Sequence, residues 1–101
     1  MTTETVLEKT NKTLDKFKEP KKYKVIVLND DVTPMEFVIA LLTTVFRHSM
    51  EAARDITLKI HNEGSAVVGI YNYEVAEQKT FEAKSLAKAN NLPLQITMDQ
   101  E

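Results

Sequence analysis

A short apolar run that ends abruptly in polar residues is the strongest constraint on how this sequence folds. Residues 23–28 read Tyr-Lys-Val-Ile-Val-Leu, and β-branched residues that are apolar on both faces are typical of a central strand. Asn29-Asp30-Asp31 follows directly, and short polar side chains favour a turn over a strand ladder. We therefore expect folded structure from Tyr23 and a polar turn at the carboxyl end of a buried strand.

A helix is predicted to start immediately after this turn. Thr33 stands where an N-cap belongs, Pro34 at the first helical position, and Glu36 three residues after the cap completes a capping box. The helix is expected to run to about Phe46. Its buried stripe is formed by apolar residues at helical spacing, namely Val38, Leu41, Leu42 and Val45.

The rest of the chain alternates helix and strand signals. The predicted elements are a helix from Ser49 to about Asn62 that ends at Gly64, a strand over 66–71, a helix from Tyr73 to about Ala89 capped by Asn72, and a strand over 94–98. We therefore predict an α+β fold of order β-α-α-β-α-β. A small three-stranded antiparallel sheet would carry three helices packed on one face.

Size and composition indicate one small domain and exclude several classes of function. A chain of 101 residues suits a single core, which we place at residues 23–101 after a flexible polar arm over 1–22. The net charge of -2 argues against general nucleic-acid binding, which needs many Lys and Arg contacts to phosphates. No apolar run reaches membrane length and no signal peptide is evident, so a cytoplasmic protein is expected.

Catalysis and metal binding find little support in the sequence. There is no cysteine, which excludes disulfides, thiolate metal sites and thiol nucleophiles. The spacing of the two histidines, His48 and His61, fits no zinc pattern. No nucleophile elbow, P-loop or Rossmann fingerprint can be built from the serines and glycines. We predict that the protein is not an enzyme and uses no metal or cofactor.

The polar turn and His61 have structural explanations as well as functional ones. Asp31 can simply complement the amino end of the helix that follows it. His61 can be a structural residue near the end of the second helix, where it shares a face with Thr57 and Ile60. The local sequence leaves both explanations open.

The combination of motifs resembles the ClpS family of adaptors. The resemblance is carried by Tyr23-Lys24-Val25-Ile26, the Asn29-Asp30-Asp31 turn, Thr33-Pro34-Met35-Glu36-Phe37-Val38, His61, Gly64, Gly69, Glu74-Val75-Ala76-Glu77, Lys79 and Asn91-Leu92-Pro93-Leu94. It covers roughly residues 23–98. The turn combined with the threonine-proline-methionine helix start is its most specific part.

The resemblance implies a function in protein degradation. Members of the family bind N-degrons, which are proteins that begin with a bulky apolar residue, here expected to be Phe, Tyr, Trp or Leu. They deliver these proteins to a Clp-type AAA+ unfoldase, which is coupled to the Clp peptidase. The chain is expected to act as a monomer, without nucleic-acid or membrane partners.

Roles for individual residues follow from the same resemblance. The α-amino group of the substrate is expected to be bound by Asn29, Asp30 and His61. The side-chain pocket is expected at Met35, Val38, Thr57, Ile60 and Leu94. Docking on the N-terminal domain of the unfoldase is expected at Glu74 and Lys79. The turn itself is expected to be shaped by Asp31, Thr33 and Pro34.

One position departs from the family pattern. Relatives commonly carry methionine where this chain has Thr57, at the rim of the side-chain pocket. Threonine is smaller and partly polar, so the pocket is expected to be wider or to hold a water. The preference should then shift toward aromatic first residues and away from Leu.

His61 also leads to an expected pH dependence. A protonated imidazole cannot accept a hydrogen bond from an ammonium group. Binding should therefore weaken between about pH 7.5 and 5.5, the range in which histidines take up a proton.

Two other functions compete with the adaptor hypothesis. The fold also resembles the C-terminal domain of the bacterial ribosomal stalk protein, which would make the chain a ribosome-associated interaction domain. That alternative does not explain why acceptors gather at Asn29, Asp30 and His61. A small hydrolase would require a nucleophile, and none is in evidence. Fold similarity alone does not decide between these functions.

Overall fold

A computed structural model describes residues 21–101 and confirms the predicted fold class. The elements are β1 (Lys22–Leu28), α1 (Met35–Thr44), α2 (Met50–Glu63), β2 (Ser65–Asn72), α3 (Tyr73–Ala89) and β3 (Gln95–Gln100). The strands form one antiparallel sheet in the order β2-β1-β3. β1 begins one residue before the predicted Tyr23, and the flexible arm predicted over 1–22 otherwise lies outside the described residues.

β1 is the central strand, as its apolar sequence predicts. Val25 and Val27 are completely buried, and so are Leu41 and Leu42 of α1. Burial of an aliphatic side chain of this size contributes roughly 1.5–3 kcal/mol. This core holds the helices on one face of the sheet, so that the carboxyl end of β1 emerges beside α1 and α2.

Two of the predicted helix caps are present in the structure. The Ser49 hydroxyl accepts a hydrogen bond from the amide of Ala52 at 3.1 Å, at the start of α2. The Asn72 side chain accepts from the amide of Val75 at 3.0 Å, at the start of α3. Both satisfy amides that lack an intrahelical partner, so local polar residues determine where these helices begin.

α1 is shorter than predicted. It ends at Thr44, two residues before Phe46, because the chain leaves the helix and Arg47 adopts a φ of 60°. The amide of His48 then donates to the carbonyl of Leu42 at 3.0 Å. Within residues 21–101, no helix combines the length and the apolar character needed to cross a bilayer.

Candidate ligand site at the end of β1

Asp30 organises the turn that follows β1. Its Oδ1 accepts hydrogen bonds from the amides of Val32 at 2.8 Å and Thr33 at 2.7 Å. Its Oδ2 accepts from the hydroxyl of Thr33 at 2.7 Å. An Asx turn forms when backbone amides donate to the side chain of a preceding aspartate, and here these hydrogen bonds hold the carboxylate in one orientation.

The predicted capping box at the start of α1 is wrong. The helix begins at Met35, and Pro34 precedes it in an extended conformation without a side-chain cap. The Thr33 hydroxyl donates to Asp30 instead of capping the helix. Hydrogen bonds to an ionised acceptor are about twice as strong as neutral ones, so the hydroxyl faces the turn and the box with Glu36 does not form.

The turn is therefore shaped by Asp30 and Thr33 rather than by Asp31. Asp31 is exposed, and in the described part of the chain its side chain makes no hydrogen bond that holds the turn. Asp30 was expected to bind the ligand and Asp31 to shape the turn. The structure gives Asp30 a structural role as well.

The hydrogen bonds in the turn also control the charge of Asp30. Burial pushes the pKa of its carboxyl upward, but the bonds from the Thr33 hydroxyl and from the amides of Thr33 and Val32 outweigh burial. The pKa consequently lies below its ordinary value of 3.8. Asp30 thus presents a fixed negative charge at neutral pH.

A backbone hydrogen bond joins this turn to the end of α2. The amide of Asn29 donates to the carbonyl of Gly64 at 2.8 Å. Gly64 ends α2 with a φ of 93°, a left-handed conformation that favours glycine. Because His61 lies in the last turn of α2, this bond brings it beside the turn although the two are distant in sequence.

The turn, the start of α1 and the last turns of α2 enclose a concavity of about 220 Å³. It is lined by Asn29, Asp30, Asp31, Thr33, Met35, Val38, Thr57, Ile60 and His61. Every residue predicted to contact the α-amino group is present, and so is every predicted pocket residue except Leu94. Sites for drug-sized ligands occupy about 300–1,000 Å³, so this space suits a smaller group.

The concavity has a polar rim and an apolar floor. Asn29 and His61 are exposed at the rim, where an amide oxygen and an imidazole nitrogen can accept hydrogen bonds beside the Asp30 carboxylate. Val38 and Ile60 are almost fully buried below them. The arrangement can receive a group that carries several donors and an adjoining apolar side chain.

Thr57 forms a buried part of the wall. It is 3% exposed, and its hydroxyl donates to the carbonyl of Ala53 at 2.7 Å within α2. The hydroxyl proton is therefore used inside the helix. The oxygen retains only its capacity to accept a hydrogen bond.

Three predicted site residues lie away from the concavity. Leu94 is buried and lines a different depression, which it shares with Lys84 of α3. Its assignment to the side-chain pocket stays a prediction. Glu74 is exposed in the first turn of α3, and Lys79 is half-buried in the same helix; their role in docking also stays a prediction.

Two hydrogen bonds from side chains to backbone carbonyls were not predicted from the sequence. The Lys79 Nζ donates to the carbonyl of Val45, at the end of α1, at 2.7 Å, and the last turn of α1 contains no basic residue of its own. His48 Nε2 donates to the carbonyl of Val68 in β2 at 2.6 Å. The missing basic residue in α1 is a signal that a cation should come from elsewhere, although it does not identify Lys79.

Together the fold and the site define a small α+β binding domain with a concavity for a compact, amphipathic group. The chain matches the family model described as ATP-dependent Clp protease adaptor protein ClpS over residues 18–97. It therefore belongs to the ClpS family of adaptors. The ribosome-associated alternative gains no support from this match.

Individual relatives agree with the family match. The chain is 48% identical over 86 residues to the ATP-dependent Clp protease adapter protein ClpS of Treponema denticola, covering 85% of each chain. It is 46% identical over 96 residues to the same adapter of Leptospira biflexa, covering 95% of this chain and 84% of the relative. A solved structure of Agrobacterium tumefaciens ClpS2 bound to L-phenylalaninamide is 45% identical, with a TM-score of 0.79, and the match covers 81% of this chain and 99% of that one.

Proposed function

We propose that this protein binds the free, bulky hydrophobic N-terminal residue of N-degron substrates and delivers them to a Clp AAA+ unfoldase for degradation by the Clp protease. The proposal rests on the concavity at the end of β1, in which the acceptors of Asn29, Asp30 and His61 lie above an apolar floor. The adaptor itself performs no catalysis in this proposal. It acts as a monomer in the cytoplasm.

The polar rim suits a substrate's α-amino group. A free N-terminus is an ammonium with up to three N–H donors, whereas an internal peptide bond has one. Asn29 offers its amide oxygen, Asp30 its carboxylate and neutral His61 a ring nitrogen. Hydrogen bonds to a charged group contribute about 1.5–3 kcal/mol each, so convergent acceptors distinguish a chain end from the middle of a chain.

The carboxylate of Asp30 retains the capacity that this role needs. Its two oxygens accept three hydrogen bonds within the turn, and an ionised carboxylate has about four acceptor sites. One site is left for a ligand. The hydrogen bonds within the turn orient the carboxylate and leave this acceptor site free for a ligand.

The apolar floor suits the first side chain of the substrate. Val38 and Ile60 provide buried aliphatic surface, and Met35 stands at the edge with 37% of its surface exposed. Burying one Leu- or Phe-sized side chain contributes roughly 1.5–3 kcal/mol. Amine recognition and side-chain burial are both modest terms, so selectivity depends on their acting together.

The ligand of the related ClpS2 supports this division of the site. L-phenylalaninamide, to which that protein is bound, has a free α-amino group and a benzyl side chain, and its amide stands where a peptide would continue. These are the groups that the rim and the floor of the present concavity can accommodate.

Thr57 is the residue that we expect to set the preference among first residues. Its hydroxyl proton is engaged by Ala53, so the oxygen offers a wall that is shorter and more polar than a methionine side chain. Aromatic first residues should be favoured over Leu. In the Thr57→Met variant, the ratio of Phe to Leu affinity should fall, and an unchanged ratio would remove Thr57 from this role.

Delivery requires a second surface, which we place at Glu74 and Lys79 of α3. Glu74 is exposed and available to a partner. Lys79 already donates to the carbonyl of Val45, so its contribution is expected to be smaller. Glu74→Lys should weaken binding to the isolated N-terminal domain of a Clp unfoldase without weakening peptide binding.

Fluorescence anisotropy with matched peptides tests the proposed substrate class. Peptides that begin with Phe, Tyr, Trp or Leu should bind, and the same sequence beginning with Asp or Gly should not. Degradation of a Phe-started reporter by the unfoldase and peptidase should then depend on the adaptor. Equal binding of the Asp-started peptide would reject N-degron recognition.

A further inference from the structure

The two edge strands of the sheet, β2 and β3, differ in how their outer backbone groups are protected from pairing with another chain. At the β2 edge, the register against β1 shifts between Val25 and Ile26, which leaves Val68 as the extra residue of a bulge. The carbonyl of Val68 also accepts a hydrogen bond from His48. Bulges and side chains that cap backbone groups are devices that prevent an edge from pairing with another chain.

The β3 edge has neither a bulge nor a side chain that caps its backbone in the described residues. Its register with β1 is continuous from Gln95 to Gln100. The amide of Glu101 donates to the carbonyl of Lys22, and hydrogen-bonded pairs alternate along an antiparallel ladder. Gln95, Thr97 and Asp99 therefore direct their backbone groups toward β1.

The intervening residues direct their backbone groups outward. By the same alternation, the N–H and C=O groups of Ile96 and Met98 point away from β1. No backbone group of residues 21–101 outside β1 bonds to β3. The outer edge of β3 thus offers a row of donors and acceptors with the spacing of an extended peptide.

A groove with a basic side follows this edge. One depression of about 250 Å³ is lined by Lys84 of α3 and by residues 94–97. A second, of about 470 Å³, shares Lys84 and Leu94 with the first and adds Lys88. Both lysines are exposed, so two positive charges flank an apolar strip that includes Leu94.

We propose that the outer edge of β3 binds an extended, acidic segment of a partner protein by β-strand addition. The backbone of Ile96 and Met98 pairs with the segment, and Lys84 and Lys88 attract its carboxylates. Strand addition takes its affinity from main-chain hydrogen bonds and its specificity from side-chain contacts. The site is separate from the concavity, so the adaptor can hold a substrate and this segment together.

The charges around β3 determine which half of the strand the acidic residues of the segment face. Lys84 and Lys88 flank the first half of β3, around Leu94 and Ile96. Asp99 lies at the other end of the strand, opposite Lys24 of β1. The acidic side chains of the segment should therefore cluster beside the first half of β3, because carboxylates near Asp99 would be repelled.

The test uses the full chain and an N-acetylated, C-amidated peptide of alternating Glu and Val. Acetylation keeps the peptide out of the amine site, so failure here does not bear on N-degron binding. By NMR hydrogen exchange, the amides of Ile96 and Met98 should exchange rapidly in the free protein and become protected with the peptide. The amides of Thr97 and Asp99 should be protected throughout.

Matched probes and variants separate strand addition from general charge attraction. A Lys-Val peptide, and a Glu-Val peptide with alternate N-methylated amides, should bind at least about tenfold more weakly. Lys84→Glu combined with Lys88→Glu should have a similar effect, whereas Lys59→Glu on α2 should have little.

Three outcomes would overturn the proposal. Absence of protection with the Glu-Val peptide would mean that the lysines only shield the edge from aggregation. Equal binding of the N-methylated peptide would exclude main-chain pairing. Protection of Ile96 and Met98 that grows with protein concentration alone would identify a second copy of the chain as the occupant.

Discussion

The concavity at the end of β1 and the junction between α1 and α3 use polar side chains in opposite ways. At the junction, the Lys79 amine is bonded to the carbonyl of Val45, where it supplies the positive charge that the end of α1 lacks. At the concavity, Asn29 and His61 are exposed, and their side chains make no hydrogen bond among residues 21–101. Polar groups satisfied inside the fold should contribute to stability, and groups left unsatisfied at a concave surface should contribute to binding.

Substitution of Asp30 should produce the largest combined effect on binding and stability. Its carboxylate accepts hydrogen bonds inside the fold and also faces the concavity. Asp30→Ala removes the charge facing the ligand and the two oxygens that accept three hydrogen bonds of the turn. We expect peptide affinity to fall by roughly tenfold to a hundredfold. The free energy of unfolding should fall by about 1–2 kcal/mol, as for loss of an aspartate cap. Anisotropy and urea denaturation measure the two effects.

Asp31→Ala is the matched control for Asp30, and it should change both quantities little. The pH dependence gives a second control. Because the folded pKa of Asp30 lies below its ordinary value of 3.8, its contribution to stability is complete above that value and is lost as the pH falls through the folded pKa. Asp30→Ala should reduce the loss of stability in this acid range. An equal acid profile for both variants would show that Asp30 does not hold the turn.

The two histidines should separate binding from stability. His61→Ala should weaken the binding of a Phe-started peptide roughly tenfold to a hundredfold and leave the melting temperature nearly unchanged. His48→Ala removes the bond to Val68, so it should lower stability by about 1 kcal/mol and preserve affinity. The same pattern of effects in both variants would contradict the distinction between polar groups that are satisfied inside the fold and polar groups that are left for binding.

Lys79→Met tests the junction directly, since methionine keeps an apolar stem and loses the amine. Without the bond to Val45, the free energy of unfolding should fall by about 1.5 kcal/mol, measured without any partner present. Peptide affinity should not change. If stability were unaffected while binding to the unfoldase disappeared, Lys79 would be a docking residue rather than a structural one.

A buried threonine should give the smallest effect. The Thr80 hydroxyl in α3 is buried without a hydrogen-bond partner among the described residues, and an unpaired buried hydroxyl is unfavourable. Thr80→Val should therefore leave stability unchanged or raise it by up to about 1 kcal/mol. Thr57→Val is the control, because its hydroxyl is bonded to Ala53 and no gain is expected. A loss above about 1 kcal/mol for Thr80→Val would indicate a partner for the hydroxyl.

Much of the fold could be predicted because its signals are local. Ser49 and Asn72 cap helices, and the apolar run ending at Leu28 marks the central strand. The roles inside the turn were less predictable, since the Thr33 hydroxyl can face either Asp30 or the helix, and a single rotamer decides between them. Local signals determine where helices and strands form, whereas the choice between two hydrogen-bonding roles of one side chain depends on the geometry of the folded turn.

The candidate site could not be predicted from local sequence signals, because it is formed by contacts between distant parts of the chain. Periodicity indicates that Thr57, Ile60 and His61 share a helix face. It does not show that this face lies beside the turn, where the hydrogen bond from the amide of Asn29 to the carbonyl of Gly64 places it. The family resemblance implies the same association. Leu94 lines a different depression from the other predicted pocket residues, so its place in the side-chain pocket stays a prediction.

Asn29, Asp30 and His61 are proposed to recognise a free α-amino group. The most direct test compares the affinity of one Phe-started peptide with that of its N-acetylated form, at neutral pH and constant salt. Acetylation removes the positive charge and leaves a single N–H, so at least two charged hydrogen bonds of about 1.5 kcal/mol each are lost. The acetylated peptide should bind at least about a hundredfold more weakly. Affinities that agree within about threefold would contradict amine recognition at this site.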